Sequence, residues 1–174
     1  MRLKQYLYKK VESTNNVAIR LIKQGNERGI ILTDQQTKGK GQRSNRWISM
    51  KGNLFLSIFF EIGKKISIST VTNLNLKIIK NVIYKKINSL IQVKKPNDIL
   101  INKKKVCGIL QETIFRESRK YLIVGIGINI SKSPRINNYP TTFLNNYSNK
   151  ELNRLKLFKE FKILYEKNLH LFGS

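Results

Sequence analysis

The sequence predicts an α+β (mixed α/β) chain, with a central, mostly antiparallel mixed sheet and two long helices packed on it. Three observations predict this class. Short runs rich in β-branched and aromatic residues, at 4–11, 29–34 and 54–62, are bounded by turn residues. Three more runs, at 98–101, 106–115 and 121–130, are separated only by polar turns at 102–104 and 116–119, the pattern of a hairpin meander. Two stretches, 66–90 and 151–172, carry apolar residues at helical spacing.

The first strand, 4–11, alternates loosely and holds Tyr6 and Tyr8. Ser13 is then a good N-cap for a helix from Thr14 to about Lys23, with Val17, Ile19, Leu21 and Ile22 apolar and Gly25 stopping it. Strand 29–34 leads directly into a glycine-rich loop. Gly52 and Asn53 signal a turn before strand 54–62, whose apolar run is broken by Ser57. In the 66–90 helix, Val71, Leu74, Ile78, Ile79, Val82, Ile83 and Ile87 form the stripe. Pro134, Pro140 and several asparagines make 131–148 a long loop. The last helix presents Leu152, Leu155, Phe158, Phe161, Ile163, Leu164 and Leu169.

A chain of 174 residues favours one domain, 1–174, and 40% hydrophobic with 25% charged residues is enough to bury a core. No run is long enough to span a bilayer, so no membrane association is expected, and the N-terminus lacks the apolar core of a signal peptide. One cysteine and one histidine exclude a disulfide framework and a Cys/His zinc site. A reducing cytoplasm fits. The net charge of +24 would ordinarily suggest nucleic acid. It is mostly lysine, spread over the chain, and accompanied by abundant isoleucine and asparagine, which points to compositional drift. A basic face would still attract an acidic partner protein or nucleotide phosphates.

The chemistry concentrates in three segments. The first is Gln36-Thr37-Lys38-Gly39-Lys40-Gly41-Gln42-Arg43-Ser44-Asn45-Arg46-Trp47. Gly39 and Gly41 let backbone N–H groups approach an anion, and Lys38, Lys40, Arg43 and Arg46 surround them with charge. A solvated basic hairpin is the plainer reading. The spacing is not that of a Walker A loop. Trp47 is either a core or lid aromatic or a wall against an adenine or acyl chain. In the second segment, Pro96-Asn97-Asp98 is a turn, or Asp98 holds Mg²⁺ or orients a phosphate-binding lysine. Lys105 opens an apolar strand beside Gly108; it is directed into a site or simply solvated. Cys107 reads as a small core residue, with no histidine near in sequence to activate it. The third segment, Gly125-Ile126-Gly127-Ile128-Asn129, lacks the third glycine and the helix of a dinucleotide fingerprint. Its glycines suit close approach of a ligand or strand, and Asn129 is either a base or ribose contact or a strand-end asparagine. His170 has no assigned role.

Together these residues resemble the biotin–protein ligases (biotin–[acetyl-CoA-carboxylase] ligases). The resemblance rests on Ser13-Thr14-Asn15, Gln36, Gly39-Lys40-Gly41-Gln42-Arg43 with Trp47, Lys94-Lys95-Pro96-Asn97-Asp98, the strand from Lys105 to Glu112, and Gly125 to Asn129, in that order. It implies a core similar to class II aminoacyl-tRNA synthetases, shared with lipoate ligases. It also implies a reaction: biotin and MgATP give biotinyl-5′-AMP, and biotin then passes to a lysine of the biotin carboxyl carrier domain of acetyl-CoA carboxylase. By position, Ser13, Thr14, Asn15, Gln36, Gly39, Lys40, Gly41, Gln42, Lys105 and Gly108 resemble biotin contacts. Arg43, Asn45, Trp47, Asn97, Asp98 and Asn129 resemble the ATP side, with Asp98 a candidate Mg²⁺ ligand. Lys105, with Lys40 and Arg43, takes the catalytic role, neutralising an acid as it attacks the α-phosphate.

No N-terminal helix-turn-helix is evident, so no specific DNA binding is expected, and the small C-terminal β-domain of many members is expected to be missing. Sheet edges permit a monomer or a homodimer. Alternatives are a lipoate- or octanoate-type protein acyltransferase, a ligase-like protein that binds biotin but turns over poorly, and a non-enzymatic basic nucleic-acid-binding module.

Four departures stand out. Lys40 and Gln42 replace arginines of the family loop, Ser44-Asn45 replaces Gly-Arg, and Lys95 replaces a tryptophan. Lysine lacks the bidentate fork of arginine, so the loop is expected to hold the adenylate less firmly. Gln42→Arg should therefore slow release of the intermediate in a rapid-dilution assay; equal rates would count against this account.

Overall fold

The structure is a computed structural model that describes residues 1–43 and 45–173. Its strands are β1 (Lys4–Val11), β2 (Gly29–Gln36), β3 (Leu54–Glu61), β4 (Ile91–Lys94), β5 (Asp98–Ile101), β6 (Lys104–Arg116) and β7 (Arg119–Ile128). They form one sheet in the order β1-β2-β3-β7-β6-β5-β4. β1 and β2 run parallel, joined through helix α1 (Thr14–Lys23), and each other neighbouring pair is antiparallel.

Period-two alternation sends successive side chains to opposite faces. One face of β3 presents Leu54, Leu56, Ile58 and Phe60, and one face of β7 presents Leu122, Val124, Ile126 and Ile128. These join the main core with residues of helices α2 (Ile68–Tyr84) and α3 (Arg154–Asn168). On the opposite face, Val17, Ala18, Leu21 and Ile22 of α1 cover Ile31, Phe59, Tyr121 and Ile123. Beyond that apolar patch the face carries Ser57, Gly108, Gly125 and Gly127, with Asn15 of α1 packed on Gly125 and the Trp47 indole on Gly108 and Gly127.

The structure corrects the predicted helix 66–90. It starts at Ile68, where the Ser67 hydroxyl accepts from Thr70 N, and ends at Tyr84. Ile91–Lys94, for which the sequence reading gave no element, is strand β4, a hairpin partner of β5 with Ile91 opposite Ile101. The last helix is shorter than 151–172: Asn153 caps it, and it passes into a 3-10 turn over Leu169–Phe172. Loop 131–148 contains one 3-10 turn, Leu144–Asn146. Ser13 does precede α1 in extended conformation, but its side chain makes no capping bond. Cys107 is fully buried, and burial, reinforced by the Asp98 carboxylate, pushes its thiol above the usual range, which agrees with a core role.

One irregularity decides where Lys105 points. Between β5 and β6 the register runs Asp98↔Gly108, Ile99↔Cys107, then Leu100↔Lys105, so Val106 is left unpaired in a β-bulge. Val106 and its neighbour Cys107 therefore both enter the main core. Because one extra residue inverts the alternation, Lys105 emerges on the same face as Gly108.

Candidate active site

The glycines of the bare face make room by what they lack. A Cβ on Gly108 would lie 2.7 Å from the Trp47 indole and one on Gly127 2.5 Å from it. A Cβ on Gly125 would collide with the Asn15 carboxamide. Above this floor opens a cavity of about 400 Å³.

One end of the cavity is polar and uncharged. Thr14 donates from its backbone N and its Oγ1 to Gln36 Oε1 at 2.8 and 3.1 Å, and Gln36 Nε2 donates to Ser49 Oγ at 3.2 Å. Ser57 Oγ lies 2.7 Å from Thr14 Oγ1 and donates to Asn15 Oδ1 at 2.5 Å. Asn15 Nδ2 donates to Glu112 Oε2 at 2.6 Å. Ser13, Thr14 and Asn15 are all buried. A buried polar network of this kind fixes which way each amide faces.

The other end is cationic. Lys40, Arg43, Arg46, Lys94, Lys95 and Lys105 line the cavity against a single carboxylate, Asp98. Lys105 Nζ is 2.8 Å from Asp98 Oδ1, with side-chain exposures of 15% and 18%. The same ammonium stands 5.6 Å from the Trp47 ring centroid and 5.2 Å from that of Tyr139. Lys105 lines the same cavity as the polar end, and its Cε is 3.4 Å from where a Cβ on Gly108 would stand.

The glycine-rich loop folds over this cavity as a tight hairpin. Trp47 N donates to Gly39 O at 2.9 Å, Gly41 N to Asn45 O at 2.7 Å, and Arg46 Nη2 to Thr37 O at 2.8 Å. Lys40 bridges to Arg46, and Arg43 holds a φ of 53°. The departure at Ser44 lies outside the described residues.

Of the residues singled out from sequence, Ser13, Thr14, Asn15, Gln36, Lys40, Gly41, Gln42, Arg43, Asn45, Trp47, Asn97, Asp98, Lys105 and Gly108 all border this one cavity. Gly39 lies outside that set; a Cβ there would strike the Trp47 carbonyl, so its role is to let the hairpin close. Asn129 sits behind the site, 2% exposed. Its Nδ2 donates to Thr142 O at 3.1 Å and its Oδ1 accepts from Asn53 Nδ2 at 3.3 Å. It also borders a narrow apolar space beside Trp47, Pro134, Ile136 and Tyr139. Sequence reasoning missed Ser57, Glu112 and Tyr139. Ser57 carried a signal, a hydroxyl interrupting an otherwise apolar strand; Glu112 closes a segment that carries the family resemblance and Tyr139 lies in the long loop, neither with a role assigned to it.

Residues 7–129 match the Biotin/lipoate A/B protein ligase family, and the chain belongs to that family. It is 30% identical over 149 residues to the bifunctional ligase/repressor BirA of Bacillus subtilis, covering 79% of this chain and 45% of that protein. It is 37% identical over 123 residues to biotin–protein ligase 2 of Arabidopsis thaliana, covering 67% and 36%. The chain thus spans between about a third and a half of the length of these curated relatives. Among solved structures, the biotin protein ligase of Aquifex aeolicus in complex with biotin and ATP superposes with a TM-score of 0.77 at 26% identity, covering 97% of this chain and 71% of that one.

Trp47 is the chain's one tryptophan, so its fluorescence reports the floor directly. Gly127→Ala should lift the indole off the sheet toward water and shift its emission to longer wavelength. An unchanged spectrum would contradict the described packing.

Proposed function

We propose that this chain is the catalytic portion of a biotin–protein ligase, which activates biotin with MgATP and passes it to a lysine of a carrier domain. One observation carries the reading: a half-buried lysine shares one cavity with an uncharged hydrogen-bonding end and five other cations, with Asp98 the one carboxylate of the lining. The relatives named above, and the Aquifex complex with biotin and ATP, support it.

Each part of the cavity then has a task. Ser13, Thr14, Asn15 and Gln36 meet the ureido group, while Gly108, Gly125 and Gly127 let the Asn15 carboxamide and the Trp47 indole pack flat on the sheet, leaving the space beyond them to the rings and acyl chain. Lys105 receives the carboxylate, with Lys40, Gly41, Gln42 and Arg43 closing over the junction. Arg43, Asn45, Trp47, Asn97, Asp98 and Asn129 serve the nucleotide. A carboxylate oxygen attacks the α-phosphorus, the bond from that phosphorus to the β-phosphate's bridging oxygen breaks, and pyrophosphate leaves. Lys105 offsets the repulsion between the two anions and stabilises the charge gathered at the junction. In the second step the carrier amine attacks the acyl carbon, the bond to the phosphate oxygen breaks, AMP leaves, and the amine loses its proton to water.

Among the described residues no three His, Cys, Asp or Glu side chains cluster as a metal cage. Asp98 is the cavity's carboxylate, and Lys105 is already on it. That donor set suits a magnesium ion that arrives on the triphosphate and not one resident in the protein. A lipoate- or octanoate-type substrate is the second reading. Neither has N–H or C=O groups at its far end to exchange hydrogen bonds with Thr14, Asn15 and Gln36, whose polar atoms pair with one another and with Ser49, Ser57 and Glu112, whereas a ureido ring offers both kinds of group. The ureido ring is therefore favoured. The cytoplasm, where ATP is supplied and Cys107 stays a thiol, is the proposed location.

Mass spectrometry of a purified biotin carboxyl carrier domain tests this. Incubation with the protein, biotin and MgATP should add one biotinyl group, and omission of any component should abolish the gain. An unmodified carrier would refute the reading. Lys105→Met should slow adenylation by about 10²-fold or more.

A further inference from the structure

We propose that Tyr139 is a positioning residue for the adenylation step, its ring forming with Trp47 a two-sided aromatic seat for the Lys105 ammonium. The inference rests on the ligase reading above and adds a residue to it. Three groups surround Lys105 Nζ: Asp98 Oδ1 at 2.8 Å, the Tyr139 centroid at 5.2 Å and the Trp47 centroid at 5.6 Å. Both rings are within the roughly 6 Å at which a ring's negative face attracts a cation.

The backbone keeps the Tyr139 segment beside this ammonium. Lys105 N donates to Pro140 O and Thr142 N donates to Lys105 O, each at 2.9 Å, making a parallel bridge between Lys105 and Thr141. From behind, Asn129 Nδ2 holds Thr142 O at 3.1 Å, and Asn129 N donates to Val106 O at 2.9 Å. Residues 139–142 are therefore bound to the residue whose side chain they help to place. Tyr139 is 36% exposed, so it adds little to the core; yet it borders the same cavity as Lys105.

A lysine stem of four carbons is free to adopt many rotamers. Asp98 alone restrains one side of it. With rings on two more sides, the ammonium is left to face the cavity, where the carboxylate and the α-phosphate converge. That placement matters most when negative charge accumulates at the junction, so its loss should fall on turnover and not on biotin binding.

Two measurements test the proposal. The first is biotin-dependent ATP–pyrophosphate exchange by the wild type, Tyr139→Phe and Tyr139→Leu. The Phe variant keeps the ring and should stay within about twofold of wild type; the Leu variant should lose about tenfold in kcat with little change in the KM for biotin. A Leu variant with wild-type kcat, a loss confined to KM, or a Phe variant as impaired as Leu would overturn it. The second measurement needs no activity: the carbon-bound proton shifts of the Lys105 ε-methylene in ¹³C-lysine-labelled protein, assigned with Lys105→Arg. The rings should move this resonance upfield in the wild type, and Tyr139→Leu should return it toward the random-coil position. Exchange absent in the wild type with the upfield shift present would sink the ligase reading and leave the seat standing; no upfield shift would sink the seat.

Discussion

The site depends on one ion pair, Lys105 with Asp98, and on the bulge that delivers it. Both residues come from neighbouring strands of a regular sheet, where strict alternation would have sent Lys105 toward the helices. Val106 adds one residue, the parity inverts, and the lysine faces the glycine floor. An apolar pair, Val106 and Cys107, fills the core on the other side, so the irregularity leaves no polar group stranded there. The pair is half-buried, with side-chain exposures of 15% and 18%. A partly desolvated lysine held this way is available to an incoming anion without first having to be found by it.

The floor shows what the fold gives up for this. Burying one large apolar side chain contributes about 1.5–3 kcal/mol. Gly108, Gly125 and Gly127 forgo that contribution in the middle of the sheet. Trp47 lies where Cβ atoms would stand, and Asn15 closes over Gly125. Stability lost there is supplied by the opposite face, where α2 and α3 pack on unbroken apolar rows. One face of the same strands holds the molecule together and the other is kept flat for chemistry.

Much of this was legible in the sequence where local pattern and tertiary need agree. β1 and α1 fall where alternation and Ser13 place them, and the β5–β6–β7 meander follows from its polar turns. The misread helix 66–90 has a specific cause: Ile87 continues the four-residue spacing of Ile79 and Ile83 past the true end, so periodicity alone could not mark the stop at Tyr84. Strand β4 went unrecognised because its pairing with β5 is not a property of one stretch of chain. The bulge at Val106 was hidden for the same reason, since register belongs to two strands at once. Most residues named for the site were legible through the resemblance of their segments to the biotin–protein ligases, since residue chemistry alone left Asp98, Lys105 and the glycine-rich loop open between a site and a solvated surface. Glu112 and Tyr139 received no role because a carboxylate and a tyrosine are ordinary on exposed strands and loops until the fold turns them toward Asn15 and Lys105.

The central claim is that Lys105 stands at the junction of an acid and an α-phosphate. A crystal structure of the protein with biotin and a non-hydrolysable ATP analogue measures this directly. The account predicts Lys105 Nζ within about 3 Å of both a carboxylate oxygen and an α-phosphate oxygen, with the biotin rings in the cavity beside Asn15 and Trp47. Ligands bound elsewhere, with Lys105 turned to solvent, would contradict it.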